Sequence, residues 1–304
     1  LNAIRSLSRA IEDVCELGET TIASKADAMD ETTAFLFVCL FSAVRSLSEK
    51  ARCSNPTWTR RRREGRSKIW FDRHTLIEQF SETVSSFLEG YGSESSARGF
   101  RGPTTAVIQT ADSRMLPCLD GSIDLVVTSP PYCTRIDYSI TTAIESAVAF
   151  GHLSASEQVN RDEFMGTSTI RPAESILDKE IFSGYVLEAI QAINSHPSYA
   201  SESYYAKTYR QYFFDLVHSL AELARAVKTG GKAVLVVQDS YYKDLHVDLA
   251  RACVETLSGL DFTLVQQADF PVTSDLAAIN SKSKPYRTLS TKHVESVVIL
   301  EKKG

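Results

Sequence analysis

Ile123-Asp124-Leu125-Val126-Val127-Thr128-Ser129-Pro130-Pro131-Tyr132 decides how this chain reads. The first six residues are a compact apolar run of the kind buried in parallel sheets, and the run stops at two successive prolines. Proline fixes φ and donates no N–H, so Pro130-Pro131 makes a stiff extended turn whose carbonyls can still accept hydrogen bonds. Ser129 adds a side-chain acceptor and Tyr132 an aromatic face. Ligands of open α/β sheets bind beyond the carboxyl ends of the strands, so these four are the first candidate site residues.

Downstream, strand and helix patterns alternate. Phe213 to Val227 is an amphipathic helix stopped at Thr229-Gly230-Gly231, and Lys232 to Val237 follows as a second buried strand. His246 to Leu257 reads as helix, Phe262 to Gln267 as strand and Val294 to Leu300 as the last strand. Upstream, Ala106 to Gln109 reads as a short strand. The expected class is α/β, a doubly wound Rossmann-like sheet over residues 101–304 with a helical insertion at 139–207.

Residues 1–100 read differently. Leu1, Ile4, Leu7 and Ile11 fall at helical spacing, as do Phe35, Val38, Phe41 and Leu47. Residues 52–73 then carry eight basic residues against two acidic ones, residues 69–88 look helical again, and residues 89–103 are a Gly/Ser-rich linker. The apolar run Ala34 to Val44 has 11 residues, against roughly 20 for a membrane-spanning helix. A buried helix is expected there and no membrane partner. Six cysteines lie scattered, without CxxC spacing or a histidine that would complete a zinc set. They read as reduced thiols of a cytoplasmic protein, with no metal site. A net charge of −5 gives no global bias toward polyanions, so nucleic-acid binding would rest on local patches.

The Ser-Pro-Pro-Tyr set suits methylation of an exocyclic amine. Such a nitrogen attacks a methyl sulfonium poorly because its lone pair is delocalised into the ring. Ser129 Oγ and the Pro130 carbonyl can accept the two amine hydrogens, which lets the nitrogen pyramidalise toward the methyl group. Tyr132 can stack on a base that has left the duplex.

This segment resembles the catalytic loop of the DNA amino-methyltransferases, in which Asp, Asn or Ser precedes Pro-Pro and then Tyr or Phe. The resemblance covers about residues 106–304. It implies S-adenosyl-L-methionine as cofactor and DNA as partner, with Ser129, Pro130, Pro131 and Tyr132 catalytic. Serine before the prolines is more typical of N4-cytosine than of N6-adenine enzymes. Asp112 matches the acid that holds the cofactor adenine, although a helix N-cap explains it equally well. Tyr138, beyond the loop, is expected to line the base pocket. Arg60, Arg61, Arg62 and Arg63, flanked by Trp58 and Trp70, are DNA-contact candidates or a solvated loop. Lys282, Lys284 and Arg287, before the last strand, are DNA-contact candidates as well.

The glycine-rich cofactor loop of these enzymes is not found in the sequence. Phe87-Leu88-Glu89-Gly90-Tyr91-Gly92 comes nearest, but no buried strand precedes it. The expectation is therefore a partial sheet lacking its first two strands, with the catalytic strand bare at one edge. The loop is expected on a longer polypeptide, of which this is the carboxyl-terminal part, or on a second chain. Two alternatives stay open: a DNA-binding or specificity subunit with no activity of its own, and a methyltransferase acting on RNA or protein glutamine.

Overall fold

The computed structural model describes residues 29–48, 72–95, 106–133, 181–272 and 293–304 continuously, with shorter pieces at 138–142, 164–167 and 169–171. Single positions, Ile4, Leu7, Ala10, Ile11, Glu145, Ser146 and Val148, complete the set. The chain divides into two units, Leu1–Thr110 with Ser139–Asn160, and Ala111–Tyr138 with Arg161–Gly304.

The first unit is helical where described. Asp30 caps helix α1 (Glu31–Leu47) by accepting from the Thr33 N–H, and Phe37, Leu40 and Val44 on its inner face meet Leu76 of α2 (Arg73–Ser95). Arg45 leaves this face to donate to Glu145 and to the Thr141 carbonyl. Helix α2 runs past Leu88 to Ser95, through the start of the Gly/Ser stretch. Residues 106–110 form no strand, and Val107 and Ile108 lie exposed. An isolated strand has no ladder to satisfy its backbone.

The second unit is an α/β fold built on a mixed four-stranded sheet. Its strands are β1 (Ile123–Thr128), β2 (Val227–Gln238), β5 (Phe262–Pro271) and β6 (Val294–Lys302), in the order β1-β2-β6-β5. β1 and β2 are parallel, whereas β6 runs antiparallel to both β2 and β5. Ala233, Leu235 and Val237 of β2 and Val298 and Leu300 of β6 form one buried face. Helices α3 (Gly184–Asn194), α4 (Ala206–Ala226) and α5 (Leu249–Ser258) pack into a single core with it. The helices thus line one face of the sheet, as in half of a doubly wound arrangement. On the other face Leu125, Val127 and Phe270 are more than half exposed. Among the described residues β1 pairs with β2 alone, so the strand leading into Ser129 stands at the edge of the sheet.

Two local readings change. His246 belongs to a small hairpin, β3 (Ser240–Tyr242) with β4 (Leu245–Val247), and α5 starts only after Asp248, which caps it by accepting from the Arg251 N–H. The Gly230-Gly231 pair lies inside β2 rather than between helix and strand. Ile123 pairs with Val227 and Leu125 with Lys232, so residues 228–231 bulge out of the ladder there. Gly230 takes φ 74° at this bulge. A Cβ on Gly231 would lie 2.8 Å from the Lys228 carbonyl and 3.0 Å from that of Asp124. Substitution G231A is therefore expected to cost about 1–3 kcal/mol of stability by prising β1 from β2. Urea denaturation checks this, and an unchanged midpoint would show that the two strands can part without cost.

Candidate functional site

The carboxyl ends of β1 and β2 lie side by side, and the segment Ser129 to Cys133 crosses them. Four hydrogen bonds fix it. Tyr212 of α4 donates its hydroxyl to the Pro131 carbonyl at 2.6 Å, and Ser240 of β3 donates to the Cys133 carbonyl at 2.9 Å. The Tyr132 N–H donates to the Tyr138 hydroxyl at 3.3 Å, and the Tyr132 hydroxyl donates to Glu295 Oε1 at 2.9 Å. Because Glu295 opens β6, the Tyr132 side chain spans from β1 across the end of β2.

Burial raises the Tyr132 phenol above its ordinary range, and the Glu295 carboxylate beside it resists loss of the proton. The nearby Ser129 hydroxyl pulls the other way. Tyr138 is raised as well, through burial. Burial also pushes the Cys133 thiol up, so next to this loop sits an inert packing residue and not a nucleophile. Cys39, Cys118, Cys133 and Cys253 are free thiols.

Beneath Tyr132 lies a small recess that opens to solvent. Tyr132 and Cys133 form one wall, Gly166 and Thr167 a second, and Thr208, Tyr209 and Tyr212 of α4 a third. Gln211 of α4 holds the second wall, accepting from the Arg171 N–H and donating to the Thr169 carbonyl.

Asp112 lies on the segment that precedes β1, where an isolated bridge to Met115 makes a tight turn. Arg114 grips its carboxylate, which falls below the ordinary range chiefly through those hydrogen bonds. Arg114 also reaches Asp215 at 2.8 Å, and Arg171 closes on the same buried carboxylate. Asp112 caps no helix in the structure. It remains partly exposed, and a carboxylate has lone pairs beyond those Arg114 engages. For S-adenosyl-L-methionine the fit is therefore partial. Asp112 can accept from an adenine amine, but no glycine-rich loop in the sequence lets backbone approach the rest.

Arg60, Arg61, Arg62, Arg63, Lys282, Lys284 and Arg287 lie outside the described residues. Among the described residues no group of three or more His, Cys, Asp or Glu can hold a metal ion, and no helix is long and apolar enough to cross a membrane.

Sequence reasoning assigned no role to Tyr212, Glu295 or the cluster around Asp239. Tyr212 reads as one more aromatic on a helix. Glu295 left a signal, an acid at the start of an otherwise apolar strand. At the end of β2, Asp239 accepts from the Val294 N–H at 2.7 Å and pairs with His246 Nε2 at 2.7 Å. His293, buried, approaches it from the other side, and the Tyr241 ring packs on both imidazoles.

No protein-family model matches the chain, and no curated protein matches it. Among solved structures it is similar to TTHA0409 of Thermus thermophilus, provisionally assigned as a DNA modification methylase. The identity is 16% over 64% of this chain and 52% of that one, at a TM-score of 0.32. The complex of TTHA0409 with S-adenosyl-L-methionine gives 17% identity, 64% and 54% coverage and the same TM-score. The chain spans about half the length of that protein.

The Asp239 cluster makes stability pH-dependent. Burial alone would raise the Asp239 carboxyl, but hydrogen bonds from His246, His293 and the Val294 N–H bring it down to about 2. The same pairing raises His246 above 6.5. The raised histidine stabilises the fold fully below 6.5, and this is lost as pH rises through its folded value. The lowered aspartate stabilises above 3.8, and this is lost as pH falls toward 2. His246→Asn should thus lower the melting temperature most between about pH 4 and 6.5 and progressively less on either side. A deficit that stays flat from about pH 4 to 9 would mean that His246 is not charged in the pair.

Proposed function

We propose that this chain carries the acceptor half of an S-adenosyl-L-methionine-dependent amino-methyltransferase acting on DNA. The observation that supports this best is the Ser-Pro-Pro-Tyr turn at the carboxyl ends of two parallel strands, beside a recess walled by aromatic rings and two threonines. The cofactor, when bound, supplies an electrophilic methyl group. In this reading Ser129 Oγ and the Pro130 carbonyl hold the hydrogens of the target amine, while Pro131 is held by Tyr212 and keeps the turn rigid. Tyr132 stacks on the flipped base. Asp112 takes the cofactor adenine. A second segment or chain bearing a glycine-rich loop supplies the ribose and methionine contacts.

Cytosine N4 is the proposed target in preference to adenine N6, because a hydroxyl and not an acid or amide precedes the prolines. The alternative of a binding subunit without activity predicts DNA binding with no methyl transfer. Expression of the coding gene in a host without DNA modification, followed by mass spectrometry of its nucleosides, separates these readings. N4-methylcytosine is expected. N6-methyladenine alone would overturn the choice of base, and unmodified DNA would favour the binding-subunit reading. S129A and Y132A should each lower transfer at least about tenfold with the fold intact. Near-normal turnover in both would remove the turn from the chemistry.

Phosphate contacts are assigned to Arg60, Arg61, Arg62 and Arg63 and to Lys282, Lys284 and Arg287. Replacing the four arginines by alanine should flatten the salt dependence of DNA binding without changing base preference. An unaltered salt slope would return the cluster to a solvated loop.

A further inference from the structure

Tyr209, Tyr212 and Tyr242 are buried, whereas Tyr199 is 95% exposed. Yet the loop that carries it, residues 195–200 after α3, is held at almost every residue. Pro197 fixes its own φ. The Ser198 N–H donates to His196 Nδ1 at 3.1 Å, so the other ring nitrogen carries the hydrogen and donates to Asp244 at 2.9 Å. The Ser198 hydroxyl pairs with that of Tyr242 at 2.7 Å, and the Ser201 hydroxyl reaches back to the His196 and Ser198 carbonyls. Ala200 stands at φ 59°, a left-handed conformation that is costly for a residue with a Cβ, and a π-turn over Ser201–Tyr205 leads into α4. Strain maintained in this way points to function, and here its result is a ring turned out into solvent.

Tyr242 ties this loop to the transfer site. Its ring packs on His196, Tyr205 and Tyr209, and Tyr209 walls the recess beneath Tyr132. Ser240, on the same strand β3, donates to the Cys133 carbonyl, so about 7 Å of one strand separates the anchor of the turn from the anchor of the loop. We infer that Tyr199 is a stacking contact to DNA: its ring lies against a base that loses its neighbour when the target base turns out to Tyr132. A base so exposed forfeits stacking energy, and a planar ring restores the lost face. Because the loop is already rigid, little freedom is lost in the contact. Charge favours a base over a phosphate as the partner. Glu202 and Lys207, which follow the loop, and Lys243 and Asp244, on the hairpin it binds, cancel one another. The ring face is what this surface offers.

This inference rests on the amino-methyltransferase reading, and its test separates the two. The 304-residue chain is titrated with a DNA duplex carrying one mismatched cytosine and with the same duplex fully paired. Y199A should lose about tenfold in affinity for the mismatched duplex and less than about twofold for the paired one, and Y199W should bind both as wild type does. The salt dependence of binding should be the same in all three proteins, since no phosphate contact is removed. Because the ring touches so little of the protein, Y199A should melt with wild type. Equal binding of the mismatched duplex by Y199A and wild type would overturn the inference and leave the functional reading standing. A flattened salt slope in Y199A would also overturn it, by placing the side chain beside a phosphate. Failure of the wild-type chain to bind either duplex at low salt would overturn the functional reading, and the inference with it.

Discussion

Tyr212, Asp215, Ser219, Glu222 and Arg225 stand three and four residues apart on α4, and each holds a piece of the chain between Asp112 and Pro131. Arg225 donates to the Leu116 and Cys118 carbonyls, and Glu222 accepts from the Leu116 N–H. Ser219 pairs with Ser113, Asp215 with Arg114, and Tyr212 closes on Pro131. One stripe of polar side chains at helical spacing thus lays an irregular segment along a rigid rod. Ahead of β1, residues 112–122 have almost no regular structure of their own, so these bonds stand in for a ladder. Asp215 is the costly member. It is buried between two arginines, and a partner lost from such a group leaves an uncompensated charge.

That anchoring bears directly on the site. Tyr132 is held at its backbone by Tyr138 and at its tip by Glu295, and the strands below it supply both ends of the span. A side chain fixed at two ends loses little freedom when a planar ligand lies against it. The recess below is walled by α4 on one side and by a segment that α4 itself holds through Gln211 on the other. The same helix therefore sets the position of the turn, the walls of the recess and the buried ion pair behind them.

The sheet is organised around the opposite condition. Its inner face is filled by three helices, while β1 stands at the edge with Leu125 and Val127 exposed. Apolar strands with a bare edge invite pairing with another strand.

The sequence by itself determined the local elements and the turn. Apolar runs of β-branched residues marked β1, β2 and β6, helical periodicity marked α1 and α4, and the Pro130-Pro131 pair announced a stiff turn after β1. These features depend on residues near in sequence, and their periods survive in one dimension. The bounds slipped where tertiary contacts overrule local preference, as in the hairpin that takes His246 and the bulge that draws Gly230 and Gly231 into β2. Only the tertiary structure decided which side chains meet at the loop. Tyr212 lies 81 residues from Pro131 and Glu295 lies 163 from Tyr132, and neither the helix around Tyr212 nor the acid at the start of β6 says which partner it meets. Hydrogen-bond partners are chosen by the path of the backbone through space, and that path is fixed by packing summed over the whole unit, which no single stretch of sequence contains.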